Sequence, residues 1–562
     1  MEKSKCLLGS LGTALVVASV LAFATGAHGQ TAPDTYWVAF TDKSSTPYSL
    51  SQPEAFLSAR AIQRRAAQNI AYDELDLPVD PAYVAAVEGL PGVAVLNRSK
   101  WFNGVTVRVE SGDALAAVQA LPFVATVNVS GGGESLRPTP DKFRAPLAAT
   151  ARDVDEALYG SSFLQISMLN GQALHGIGAQ GQGMLIGVLD SGFEGVDVSM
   201  AFEAVRQRGG IVATRDLVTH DGDVYADHWH GRAVLSCMAA RLDSQLIGTA
   251  PEADYVLLRT EEVATEYPVE EDHWIAGAEL ADSLGCDVLN TSLGYTTFDD
   301  STMDHTYEQL DGLTLRISIA ANIASSKGMV PVNSAGNSGS SSWFYISAPA
   351  DAIDVLTVGA VGDVENHAPF SSHGPSADGR VKPDVCAMGW GTRVLNVGQD
   401  SAVAANGTSF ASPVLAGLVA CLWQLHPGRT ATEIMDAVRR SASLFSDPND
   451  SLGYGIPDFG AAHAWLTMTI GIDEPVTSQA LVFPSPFVDH FTIRSAELRP
   501  APTHVLLFDA EGRVVLFTRS NAVDCGLLRV DDQRLVGLPP GTYLLVVEQG
   551  GVVVQQHIVR AP

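Results

Sequence analysis

Basic residues are scarce in this chain: 34 Lys and Arg stand against 63 Asp and Glu, a formal net charge of −29. A surplus of that size repels phosphate backbones and anionic lipid surfaces, which excludes nucleic acid and acidic membranes as partners. Cysteine is equally thin. Cys6 falls in an N-terminal leader, leaving Cys237, Cys286, Cys386, Cys421 and Cys525. That odd set, with no metal-ligand spacing, supplies neither a disulfide framework nor a zinc or haem motif. Cys237, Cys286 and Cys421 sit among apolar neighbours and are expected in the core. Beyond the leader, no apolar run is long enough to span a bilayer.

The leader itself is well marked. Lys3 and Lys5 precede an apolar run from Leu11 to Phe23 and small residues up to Gly29. This is the pattern of a secretory signal peptide over 1–29, with an uncleaved anchor as the alternative. The 562 residues hold chain enough for three or four domains.

The most informative stretch is Asn406-Gly407-Thr408-Ser409-Phe410-Ala411-Ser412-Pro413. Asn406 and Gly407 suit a tight turn. Ser409 opens a run (Val414 to Leu422) apolar on every face, so the helix is expected to be buried. Pro413 sits early, where first-turn N–H groups lack intrahelical partners anyway. Free N–H groups and the positive helix end then lie beside Ser409, where a developing oxyanion is stabilised. Taken alone, Gly-Thr-Ser is a capped helix start. The full string Gly407-Thr408-Ser409-x-Ala411-x-Pro413 resembles the nucleophile motif of the subtilisin-like (subtilase) serine proteases.

A nucleophilic serine needs a base, and the base a group to orient it. The resemblance implies an Asp and a His upstream, in that order. Met184 to Leu189 is a nearly all-apolar run ending in Asp190-Ser191-Gly192. It reads as a buried parallel strand with a carboxylate at its carboxyl end, where open α/β folds place their sites. Asp-Ser-Gly resembles the family's first catalytic motif. His230-Gly231-Arg232-Ala233-Val234 begins a helix about forty residues later and resembles the second, His-Gly-Thr-x-Val. Arg232 departs from that pattern; two positions on, it faces another side of the helix and need not touch the imidazole.

Val330-Pro331-Val332-Asn333-Ser334-Ala335-Gly336-Asn337 runs from a strand into a turn and resembles the family's Ala-Gly-Asn segment. The resemblance assigns the oxyanion donor to Asn337, with Asn333 as competitor. Ser292-Leu293-Gly294 resembles the family's substrate-pairing edge, which with Ser334, Ala335 and Gly336 is expected to bind the peptide backbone. Calcium is common in the family, but no site can be placed here; no cofactor is expected.

The fold reading agrees. Strand signals at 184–189, 254–259, 287–293, 329–333 and 354–361 alternate with helix signals at 231–241, 273–284, 306–327 and 409–425. Such alternation implies an α/β fold, a subtilisin-like parallel sheet with helices on both faces, over 156–468. Residues 34–135 read as a small α+β unit. It has strands near 36–40, 93–96, 105–109 and 124–129, and helices from Ser51 to Gln68, at 81–88 and at 113–120. Its position and architecture resemble a subtilase propeptide, an intramolecular inhibitor; an accessory domain is the alternative. Arg64-Arg65, in mid-helix, is expected on a solvated face, and cutting is placed in the linker 136–155. After a second linker at 469–479, residues 480–562 read as a β-sandwich. Phe483-Pro484-Ser485-Pro486-Phe487, Asp509-x-x-Gly512-Arg513 and Leu538-x-x-Gly541-x-Tyr543 resemble the C-terminal sorting domain of the Bacteroidetes type IX secretion system. That resemblance implies its machinery as a partner.

Together these expectations describe a secreted serine endopeptidase made as a zymogen, with Asp190, His230 and Ser409 catalytic. The rival reading is a surface binding protein on a protease scaffold grown inactive, for which Arg232 is the only support.

Overall fold

Seven strands, each parallel to its neighbours, build the central sheet in the order Val385–Met388, Leu356–Val361, Val330–Ser334, Val288–Thr291, Leu185–Asp190, Asp254–Arg259, Ile211–Asp216. This computed structural model describes residues 34–132, 142–143, 158–468 and 481–561, apart from 496–497, 502, 510–513, 521–522, 524–525 and 550–551. The leader at 1–29, the linker at 469–479, most of the linker at 136–155, and Gly512-Arg513 lie outside the described residues.

The five strands expected from apolar runs are the five inner ones. The two missed are the edges. Ile211–Asp216 is half exposed and carries Thr214 and Arg215, so it lacks the continuous apolar signature of a strand covered on both faces. Val385–Met388 is fully buried but only four residues long.

Helices His230–Ala239 and Thr408–Leu425 cover one face, packed with Ile186, Val188, Val332 and Val358 in a single apolar core. Val269–Leu284 and Arg316–Ser326 cover the other with Leu189, Leu258 and Leu289. The helix signal at 306–327 proves to be broken: a single turn at Tyr307–Gln309 is followed by a loop, and the helix begins only at Arg316. Asp311 accepts from the Leu313 and Thr314 amides and Gly312 adopts φ +77°, a turn that competes with helix. Cys237, Cys286, Cys386 and Cys421 are buried free thiols.

The N-terminal unit is an antiparallel sheet ordered Val93–Ser99, Gly104–Val109, Thr35–Phe40, Val124–Gly131. One face packs helices Pro81–Glu88 and Gly112–Gln119 around Val38, Val84, Val107 and Val118. The other lies against helix Val269–Leu284. Thr106 and Ser130 donate to Asp272 at 3.0 and 2.9 Å, and the Arg316 guanidinium sits 4.2 Å over the Trp37 ring.

Two expectations for this unit are corrected. Ser51 does not start the long helix: Pro53–Ala55 is one 3-10 turn, and Ser58 caps Ala59–Ala67 by accepting from the Ala61 amide. Arg64 and Arg65 are not on a solvated face. They are 6% and 0% exposed, and both donate to Asp282 of the central unit, at 2.6 and 2.7 Å. The helix docks, and that docking turns its basic pair inward.

At the other end, strands Leu481–Phe483, Phe491–Arg494 and Leu527–Val530 form one sheet, and Thr503–Phe508, Val514–Ser520, Gly541–Gln549 and Val552–Arg560 another. Phe487, Phe491, Leu507, Leu528 and Leu545 from both fill the space between them, which makes a β-sandwich.

Candidate active site

Asp190 ends its strand fully buried and His230 opens its helix at 3% exposure. The His230 Nδ1 lies 2.7 Å from Asp190 Oδ1, which also accepts from the Ser191 amide at 2.8 Å. Small residues make this approach possible. A Cβ on Gly231 would stand 2.3 Å from the Gly192 carbonyl oxygen and 2.9 Å from the Asp190 Cβ, so only glycine lets the helix start close onto the strand end.

Ser409 lies in the first turn of Thr408–Leu425 and is 7% exposed. Its hydroxyl donates to the Ser292 carbonyl at 3.2 Å, while the Ser292 hydroxyl donates to the Ser409 carbonyl at 2.8 Å. Among the described residues no hydrogen bond joins the Ser409 hydroxyl to His230. Instead the imidazole is flanked by the Phe143 ring, 4.1 Å away, and the Phe410 ring, 5.7 Å away.

The two asparagines separate clearly. Asn337 is exposed at the cleft, and its Oδ1 accepts from the Thr408 amide and hydroxyl at 2.9 and 3.1 Å. Those bonds fix the carboxamide, and among the described residues Nδ2 has no acceptor. Asn333 is 2% exposed, and its Nδ2 is spent on the Ser334 and Leu293 carbonyls at 2.9 and 3.4 Å.

A cleft of about 300 Å3 is lined by Ser292, Leu293, Gly294, Ser334, Gly336, Asn337 and Ser409. Ala335, expected with them through its backbone, stands between Ser334 and Gly336 with its side chain in the core at 0% exposure. A Cβ on Gly294 would stand 2.0 Å from Ser347 Oγ, so glycine keeps this edge flat. Two residues of the linker, Lys142 and Phe143, line the same cleft with Glu261 and Glu266. None of these four was read from the sequence; the acidic run after strand Asp254–Arg259 was the available signal.

Arg232 runs away from the imidazole. It is 5% exposed and donates to the Gln399 carbonyl at 3.1 Å, with Asp400 Oδ1 at 3.4 Å and the Glu194 carbonyl at 3.5 Å. Arg232→Thr is therefore expected to leave peptide hydrolysis within about tenfold of wild type, and to lower stability by about 1–2 kcal/mol through the lost loop anchor. A large gain in kcat would mean that Arg232 misaligns the helix start; steady-state kinetics and a thermal melt check both parts.

Comparison with known proteins gives two matches along the chain. Residues 181–456 match the subtilase family (Peptidase S8), and residues 35–143 match the peptidase S8 propeptide domain of Bacteroidota. Serine protease AprX of Bacillus subtilis (strain 168) is 28% identical over 314 residues, covering 51% of this chain and 66% of that protein. Subtilisin BL of Lederbergia lenta is 29% identical over 285 residues, covering 50% of this chain and 92% of that protein. The crystal structure of MycP1 from Mycobacterium smegmatis aligns at TM-score 0.44 and 22% identity, covering 58% of this chain and 90% of that one.

Proposed function

We propose that this chain, whose residues 181–456 match the subtilase family of serine proteases, is the precursor of a secreted endopeptidase working through Asp190, His230 and Ser409. The observation that carries the reading is the 2.7 Å bond from His230 to buried Asp190, made beside a cleft that Ser409 and Asn337 share.

The Ser409 hydroxyl leaves the Ser292 carbonyl, gives its proton to His230 and attacks the substrate carbonyl, forming an acyl-enzyme that water then hydrolyses. Asp190 holds the imidazole by Nδ1 and stabilises the imidazolium. Asn337 Nδ2 and the Ser409 N–H, which has no acceptor among the described residues, receive the oxyanion. Ser292 to Gly294 and Ser334 to Gly336 offer backbone edges to the peptide.

Asn337→Ala should lower kcat on the order of a hundred- to a thousandfold by deleting one oxyanion donor, with KM little changed. Asn333→Ala should cost activity only through folding. The reverse ranking in peptide-hydrolysis kinetics would overturn the assignment.

The propeptide domain acts as an intramolecular inhibitor in this scheme, with Phe143 lying over His230 and cleavage falling within roughly 131–155. Its grip should depend on pH. Glu279, on helix Val269–Leu284, accepts from the Lys100 and Trp101 amides of the propeptide at 2.7 and 3.1 Å. Burial pushes its carboxyl up to about 7, against the pull of Lys100 and the donated bonds. A pKa raised by association means that this contribution is fully present below the free carboxyl value and lost as pH rises through about 7. The cleaved propeptide should thus inhibit on the order of tenfold more weakly at pH 8 than at pH 5, and Glu279→Gln should flatten part of the change. Tighter inhibition at pH 8 would contradict this.

Export through a type IX route is part of the proposal, supported by the basic-then-apolar leader and by the motifs of the C-terminal sandwich. Among these, Tyr543 is buried and its hydroxyl donates to the Pro539 carbonyl at 2.7 Å.

A further inference from the structure

Lys142 enters the cleft from the propeptide side and meets three carboxylates. Its Nζ lies 3.0 Å from Glu261 Oε2, 2.9 Å from Glu266 Oε2 and 2.8 Å from Glu270 Oε1. Glu261 and Glu266 stand on the loop after strand Asp254–Arg259, and Glu270 in the first turn of helix Val269–Leu284. These three come from the central unit, so they stay when the propeptide leaves. Among the described residues Lys142 is the only cation ion-paired with any of them.

The cluster has acceptor capacity to spare. Glu270 is fully buried, and among the described residues its Oε2 has no hydrogen-bond partner. Its Oε1 also accepts from the Glu262 amide at 2.8 Å, and Glu261 Oε1 accepts from the Tyr295 hydroxyl. Burial raises the Glu261 and Glu270 carboxyls, and that of Glu266 to about 7, with Lys142 the main opposing pull on Glu261 and Glu266. Three carboxylates desolvated together are costly unless a cation joins them.

Position makes this more than a structural ion pair. The next residue, Phe143, packs its ring 4.1 Å from His230, and both residues line the cleft that holds Ser409 and Asn337. Lys142 thus sits where a peptide side chain sits when the following residue covers the imidazole.

We propose that Glu261, Glu266 and Glu270 form a subsite of the mature enzyme for a lysine or arginine side chain of the substrate, which Lys142, inside the propeptide match over 35–143, occupies in the precursor and leaves when the cut falls after Phe143. The inference rests on the protease reading and adds the substrate class. An arginine carries five donors in a planar fork against the three of lysine, so it has a donor to offer the spare Glu270 oxygen.

The test uses full-length protein allowed to mature, with reactive serine counted by fluorophosphonate titration so that rates are per active site. Peptides differing only in Lys, Arg, norleucine or Gln immediately before a Phe are compared. The Lys and Arg peptides are expected to exceed the norleucine peptide in kcat/KM by about tenfold or more. In the Glu261→Gln, Glu266→Gln double variant, with rates again taken per titrated serine, that ratio should fall to within about threefold. Equal kcat/KM for Lys and norleucine peptides in titratable wild type, which needs no variant to fold, would overturn the subsite and leave the protease standing. A basic preference that survives the double substitution would overturn the assignment to this cluster. A chain with no titratable serine and no cleavage of any peptide would overturn the protease reading, and the subsite with it.

Discussion

Ser409→Ala should lower peptide hydrolysis roughly a millionfold in turnover, the loss that removing the nucleophile causes in subtilisin. His230→Ala should cost nearly as much, because serine and imidazole act as one unit and neither retains value alone. The double variant should then be no worse than either single one. The precursor provides a second readout: with Ser409 gone, the segment between 131 and 155 should stay uncut, and an electrophoretic shift present in wild type should vanish. Hydrolysis of purified Ser409→Ala at a few per cent of wild type would place the chemistry elsewhere.

The second large effect concerns what holds the propeptide down. Asp282, fully buried on helix Val269–Leu284, receives Arg64 at 2.6 Å, Arg65 at 2.7 Å and Lys100 at 2.9 Å, all from the propeptide. Arg65 also pairs with Asp76 at 3.0 Å, which Lys327 approaches at 3.1 Å. Burial alone would raise the Asp282 carboxyl, but Lys100, Arg64 and Arg65 outweigh it and hold it well below the usual range. A depressed pKa contributes above the free value and is lost only as pH falls through the lowered one, so this lock persists throughout the neutral and mildly acid range. Asp282→Ala leaves three cations facing one another without their anion, a cost of about 3–5 kcal/mol for a broken buried network. Inhibition by the cleaved propeptide should weaken on the order of a thousandfold, and activity should appear earlier during maturation. Arg98→Ala, which breaks an exposed pair with Glu88, should change inhibition by less than about fivefold. Equal effects of the two substitutions would show that the network does not anchor the propeptide.

What could be read from the sequence followed from how strongly local chemistry constrains each residue. Inner strands are covered on both faces and read as apolar runs, whereas Ile211–Asp216, half wet at the sheet edge, reads as loop. Asp190, His230 and Ser409 lie in short strings of glycine and small residues, and the close approaches at Gly231 and Gly294 give the physical reason for such strings. Asn337 and Asn333 stand four residues apart, and only the anchoring of one Oδ1 by Thr408 separates them. Charges were the least legible. Arg64, Arg65, Glu261, Glu266 and Glu270 look like solvated surface in a chain of net charge −29, yet each is ion-paired across the contact between the two units, and all but Glu266 are buried. Lys142 and Phe143 were hidden for a different reason: a linker has no periodicity to reveal that two of its residues fill a cleft.

The most direct measurement is fluorophosphonate labelling of the processed wild-type protein, followed by mass spectrometry of the peptide carrying residues 406–413. The account predicts stoichiometric phosphonylation of Ser409, abolished in Ser409→Ala and in His230→Ala, and slowed while the propeptide remains attached with Phe143 over His230. Correctly processed protein that takes up no label at Ser409 would contradict it.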